Sequence, residues 1–150
     1  MPQSLANILI HIIFSTKNRD PLIRTEIEPE LHPYIASICR ACHCPAHEIG
    51  GTEDHIHVVC SLGRTTTVAT LLEEVKKSTS KWIKTKGEQY SQFSWQAGYG
   101  AFSIGQSQLD AVKKYIVGQR EHHRRRTFQE EFCEFLAKYQ VLYDERYIWD

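Results

Sequence analysis

The apolar residues of this chain change period several times, and each change marks a new element. Between Asn7 and Ser15, Ile8, Ile10 and Ile12 alternate with their neighbours, the period-2 pattern of a strand. From about Pro29 to Cys42, Leu31, Tyr34, Ile35, Ile38 and Cys42 fall at helical spacing, and Pro29 and Pro33 confine the helix start. A short strand over Ala46 to Ile49, then Gly50-Gly51 with a polar turn, then a strand from His55 to Leu62 read as a hairpin. Val68, Leu71, Leu72, Val75, Trp82 and Ile83 mark a long amphipathic helix, with threonines for N-caps and Gly87 as a stop. A strand near Tyr99 to Ile104 leads to a helix carrying Leu109, Val112 and Ile116, which Ser107 would cap. Thr127-x-x-Glu130 is a capping-box pattern that opens a last helix through Phe132, Phe135 and Leu136.

The order β-α-β-β-α-β followed by two helices predicts an α+β fold. It is the ferredoxin-like sandwich with a C-terminal helical extension, which carries Tyr115. No repeat, linker or low-complexity tract interrupts the 150 residues, so 1–150 reads as one domain. This fold hosts unrelated activities, and function has to be argued from the site.

Composition narrows the classes. With 41% hydrophobic and 24% charged residues and a formal net charge of zero, the chain is an ordinary globular protein. Neutrality argues against a polyelectrolyte that grips nucleic acid non-specifically. A local patch remains: Arg120 and the run His122 to Arg126, followed by Glu130, Glu131 and Glu134. The longest apolar stretch, Ile8 to Phe14, is too short to span a bilayer. Met1-Pro2-Gln3 has none of the features of a signal peptide, so a cytoplasmic location is expected. Five cysteines, an odd number, suit a reducing compartment without a disulfide framework. Cys39-x-x-Cys42-x-Cys44 with His43 and His47 lacks a second ligand pair at zinc-finger spacing. Cys39 and Cys42 also occupy positions where a helix buries small apolar groups.

Two short patterns carry candidate chemistry. In His55-Ile56-His57, residues i and i+2 of a strand point to one face, so two imidazoles converge as half of a divalent-metal site. The plainer reading is two histidines on the polar face of a strand. In Tyr115-Ile116-Val117-Gly118-Gln119, Tyr115 and Gln119 share a helix face. The Gln119 amide oxygen would complete a metal site while the phenol reaches a phosphate; the plainer reading is a solvated pair. Gly118 inside a helix costs about 1 kcal/mol and suggests close approach or flexibility.

Together the two patterns resemble the HUH tyrosine nucleases, and the chain is similar to the one-tyrosine, single-strand transposases of small insertion sequences. The likeness runs through His11-Ile12-Ile13-Phe14-Ser15-Thr16-Lys17, Asp54-His55-Ile56-His57-Val58-Val59 after Gly50-Gly51, Ser78-Thr79-Ser80-Lys81-Trp82, Trp95-Gln96-Ala97-Gly98-Tyr99 and Tyr115 to Gln119 leading into His122-His123. The resemblance implies that His55 and His57 bind a metal, Mg2+ or Mn2+, with Gln119 as third ligand and Tyr115 as nucleophile. It also implies a homodimer, in which the tyrosine helix of one subunit serves the histidines of the other. The substrate would be single-stranded DNA at hairpin-bearing element ends.

The chemistry agrees with those roles. A free phenol titrates near 10, and a cation on the scissile phosphate would offset charge and favour the phenolate. Attack would give a 5′-phosphotyrosine and a 3′ hydroxyl, and the retained ester energy would let strands rejoin. Arg120, Arg124, Arg125, Arg126, Lys76 and Lys77 are candidates to contact DNA, with Lys81 and Lys84 beside them on the long helix. Phe93, Trp95 and Tyr99 are candidates to stack on bases; Trp82 fits the core stripe of its helix. The basic run also suits a solvated helix end. Against a histidine-run or paired H-x-T phosphoesterase, Val59 stands where the next histidine or threonine should be. The alternative is a non-catalytic or domesticated nucleic-acid-binding module on the same fold, although an RNA-recognition version should carry aromatics on its central strands.

Overall fold

All seven residues of β1 (Leu9–Ser15) are buried, so this strand has to be covered on both faces. The computed structural model, which describes residues 2–150, shows how. The chain continues through α1 (Glu28–Ala41), β2 (Ala46–Gly51), β3 (His55–Ser61), α2 (Val68–Lys84) and β4 (Gly100–Ile104). The extension adds α3 (Leu109–Val117), a single turn α4 (Gln119–His122) and α5 (Phe128–Lys138). The strands form an antiparallel sheet in the order β2-β3-β1-β4, which is the ferredoxin-like arrangement expected.

On one face, Ile10, Ile12 and Phe14 of β1 and Ile56, Val58 and Cys60 of β3 meet Leu31 and Ile35 of α1 and Leu71, Leu72 and Val75 of α2. Cys39 and Cys44 belong to this core, as small apolar side chains. On the other face, Ile13 and Phe102 meet Phe128, Phe132 and Leu136 of α5. Period-2 alternation therefore places His11, His55 and His57 under the C-terminal helices.

Gly50 decides where α3 sits. A Cβ there would stand 2.5 Å from the Ile116 carbonyl oxygen and 2.9 Å from its Cγ2. The helix that carries Tyr115 thus rests directly on the backbone of β2. The sequence pattern assigned this glycine to a hairpin, because the partner that needs the space lies 66 positions away.

Several boundaries differ from the sequence expectation. β1 begins at Leu9, and Ile8 is exposed. Ser107 lies inside a 3-10 turn, and it is Gln108 whose side chain accepts from Gly105 N–H ahead of α3. α2 ends at Lys84, before Gly87, whose φ of 143° suits glycine in the following turn. Gly118 is not inside a helix: it is the joint between α3 and α4, with φ −85° and ψ 16°. A Cβ there would meet its nearest atom at 3.5 Å, so close approach is not the reason for this glycine. Phe93 and Trp95 are buried rather than free for bases, and the Trp95 indole donates to Thr79 Oγ1. Trp82 stacks on Tyr34 between α1 and α2, at 4.6 Å between rings.

Replacing Gly50 with Ala should destabilise the protein by about 1–3 kcal/mol, the usual range for overpacking, and lift α3 from the sheet. Urea denaturation measures this, and an unchanged midpoint would show that α3 is not seated there.

Candidate active site

His55 and His57 turn to the same side of β3, and neither has any exposed surface. Each ring is held through its Nδ1. In His55 this atom lies 2.7 Å from Asp54 Oδ1 and 3.0 Å from Thr52 Oγ1; in His57 it lies 2.8 Å from His11 Nε2. A partner on Nδ1 fixes the ring and aims Nε2 at whatever the site binds. Asp54 stays ionised below its ordinary range: burial opposes this, but the His55 hydrogen bond and charge prevail.

The two Nε2 atoms face oxygens from different helices. Gln119 Oε1 is 2.9 Å from His55 Nε2. Glu131 Oε1 is 3.0 Å from His57 Nε2 and 3.8 Å from His55 Nε2. When the His55 Nδ1–H donates to Asp54, its Nε2 lone pair faces Gln119 Oε1, another acceptor, and a cation between them would satisfy both. Two imidazoles, a carboxylate and an amide oxygen suit a divalent cation. Around such an ion at about 2.1 Å, neighbouring donors of an octahedral shell stand about 3 Å apart. The donor atoms of His55, His57 and Glu131 lie within 4.8 Å of one another. The residues fit the group.

Tyr115 joins the same cluster. Its hydroxyl donates to Glu131 Oε2, its ring centre is 5.8 Å from that of His57, and His122 lies against its other side at 4.5 Å. Burial, and then Glu131, push the phenol pKa above its ordinary value. Glu131 itself is 1% exposed. Burial disfavours its charge, yet the nearby His123 and the hydrogen-bonded His57 hold the carboxyl well below the usual range. His123 Nε2 stands 3.3 Å from Glu131 Oε1, and in spite of burial this carboxylate raises the His123 pKa.

The structure thus brings together four residues expected from the sequence, His55, His57, Tyr115 and Gln119. It adds Glu131, which sequence reasoning placed only in an acidic run. A signal was present: on α5, Glu131 lies beside Phe132 and one turn from Phe128, on the stripe that buries its apolar neighbours. His11 and His123, given no catalytic part by sequence, support the cluster from behind and from the side.

The expected DNA contacts separate into two groups. Arg124 and Arg125 are exposed, and Arg126 pairs with Glu134. All three line a cavity of about 510 Å³ whose inner end is Asp54 and His123. Arg120 is tied to Glu28 of α1. Lys77 is exposed on α2, across the sheet from the histidines. Lys76 is engaged elsewhere: its ammonium donates to the carbonyls of Gln96 and Gly98, and burial brings its pKa down to about 8.

A family model described as "Transposase IS200 like" matches residues 4–119. The chain belongs to this family. It is a DNA-cleaving and strand-transferring enzyme. Among solved structures, a protein described as a transposase from Deinococcus radiodurans R1 is similar over 79% of this chain and 98% of its own, with TM-score 0.61 and 14% identity. A REP-associated tyrosine transposase bound to a REP hairpin is similar over 82% of this chain and 72% of its own, with TM-score 0.59 and 14% identity. At that identity both likenesses speak for the fold. No curated protein matches the chain. The family match ends at Gln119, so Glu131 and all of α5 lie beyond it.

The cluster makes folding sensitive to acid. Burial, more than neighbouring charge, brings His11 down to about 3 and His57 to about 4, from 6.5. Between those values the unfolded chain binds protons that the folded chain refuses, so stability falls as pH drops from about 6.5 toward 4. Glu131, held below its ordinary range, adds to the loss at the acid end; His123 runs the other way. The urea midpoint should fall between pH 7 and pH 4, less steeply in His11→Gln. A midpoint that does not change over that range would contradict the burial of two neutral histidines.

Proposed function

We propose that this transposase nicks and rejoins single-stranded DNA through a 5′-phosphotyrosine on Tyr115, at a divalent cation held by His55, His57, Gln119 and Glu131. One observation carries the reading: Glu131 faces both histidine Nε2 atoms with one oxygen and receives the Tyr115 hydroxyl on the other. When bound, the cation offsets charge on the scissile phosphate. Mg2+ or Mn2+ would serve, and two imidazoles favour Mn2+ in affinity.

The protein's own groups do the rest. Tyr115 gives its proton to Glu131 Oε2 as the phenol oxygen bonds to phosphorus. The bond from phosphorus to the 3′ oxygen breaks, and that oxygen leaves as a hydroxyl after taking a proton from solvent. In the reverse step a 3′ hydroxyl attacks the phosphotyrosine and gives its proton to solvent, and the phenol leaves as it takes a proton relayed through Glu131. Arg124, Arg125 and Arg126 would hold flanking phosphates. One structural relative binds a REP hairpin, which supports a hairpin-bearing strand as substrate.

Sequence resemblance implied a homodimer with exchanged tyrosine helices. Within one chain Tyr115 already reaches Glu131 beside His57, which supports assembly within a subunit as well as exchange in a homodimer. Among the described residues no helix is long and apolar enough to cross a membrane, in keeping with action on cellular DNA in the cytoplasm.

The decisive assay uses Mn2+ and labelled single strands tiling the flanks of the gene. Wild-type protein should give a metal-dependent adduct that survives denaturant, and Tyr115→Phe and His57→Ala should give none. Glu131→Gln should slow the adduct by roughly a hundredfold or more at saturating Mn2+. Mixing Tyr115→Phe with His57→Ala protein separates the two arrangements: no adduct means assembly within a subunit, and a restored adduct means that tyrosines are exchanged. Tight binding of every strand with no adduct would defeat the reading.

A further inference from the structure

A second cavity, of about 450 Å³, opens between α3 and α5 and ends at Tyr115. One wall is Ala111 and Val112, small residues on the α3 face that also carries Tyr115. The opposite wall is aromatic, Phe135 and Tyr139. Arg126 and Lys138 also line it, and Lys138 sits over the Tyr139 ring at 5.5 Å. Its size lies within the range of small-ligand pockets, ~300–1,000 Å³. Arg126 lines this slot and the arginine-rich cavity beside His123 as well, so the two meet at its guanidinium.

We infer that this slot seats the unpaired base next to the scissile phosphate, stacked on Phe135 and Tyr139, with its phosphate at Arg126. The inference rests on the reading of Tyr115 as nucleophile and specifies how the strand is held. A phosphate under attack by Tyr115 must carry one neighbouring nucleoside against that ring, and this slot opens onto it. An aromatic wall facing small aliphatic residues, with cations alongside, matches what an unpaired nucleotide offers: a flat π-face and one negative charge. Glu134, also in the lining, pairs with Arg126, so a phosphate seated at that guanidinium takes the place of this carboxylate. Residues 126–139 lie beyond the segment matched by the family.

The test begins from the cleavage position mapped with the wild-type protein. Oligonucleotides carrying 2-aminopurine on either side of that position are bound to Tyr115→Phe protein, which cannot cleave them. At one of the two positions fluorescence should fall by roughly threefold or more on binding, as stacking requires, and Phe135→Ala should lose that quench together with roughly tenfold in affinity. Phe135 also packs in the core, so a second variant fills the slot from the exposed side. Ala111→Trp should lower adduct formation roughly tenfold on the normal strand and recover it on a strand that is abasic at the quenched position. Equal quenching in Ala111→Trp, or no recovery with the abasic strand, overturns the seat. Absence of any wild-type adduct overturns the nucleophile reading instead, and with it this inference.

Discussion

A carboxylate taken out of water is costly unless its charge is fully paired. Glu131 is taken out of water, and almost every feature of the site follows from how it is paired. His57, His123 and Tyr115 each address it, from β3, from the segment after α4 and from α3, and His55 stands within 4 Å. The same contacts dock α5 on the sheet, because Glu131 sits among Phe128, Phe132 and Leu136. Attachment of the extension and assembly of the histidine–glutamate cluster are thus one event. An uncharged residue of the same size would keep the packing and lose the ion pairing, while removal of any partner would leave a buried charge short of one bond.

The two faces of the sheet have divided their work. Under α1 and α2 the side chains are apolar, and even the polar groups there serve packing: Lys76 ties the loop after Trp95 to α2, and Thr79 satisfies the Trp95 indole. Under α3 to α5 the sheet presents three imidazoles in a row, His11, His57 and His55, with ring centres about 5 Å apart. A purely structural face would bury aliphatics at these positions, as the opposite face does. Burial holds His11 and His57 neutral, a condition that suits a metal ligand and costs stability in acid.

What was legible in the sequence was whatever a short period encodes. The strand carrying His55 and His57 and the Thr127 cap that accepts from the Glu130 N–H follow from spacings of two to four residues. What was not legible depends on partners distant in the chain. Gly50 reads as a hairpin glycine until Ile116 is placed on it. Lys76 and Trp95 read as DNA contacts until the 95–98 loop folds over α2. Glu131 reads as one more acid after a basic run, because its place on the apolar stripe means something only once the histidines lie opposite.

Enclosure sets the remaining constraint. His55, His57, Gln119 and Glu131 are all at or below 1% exposure, so a phosphate oxygen cannot reach them through the closed cluster. Phe128, Phe132 and Leu136 anchor α5, and burying each is worth about 1.5–3 kcal/mol, too much together for wholesale detachment to be the route of entry. The weak side is elsewhere. Tyr115 is only half-buried, and beyond it α3 and α5 face each other across open space rather than packed side chains. There the hydrogen bond from Tyr115 to Glu131 is the contact that closes the cluster toward the open space. In the proposed reaction the same bond carries the phenol proton to Glu131, so the accessible side of the cluster is also its path of proton transfer.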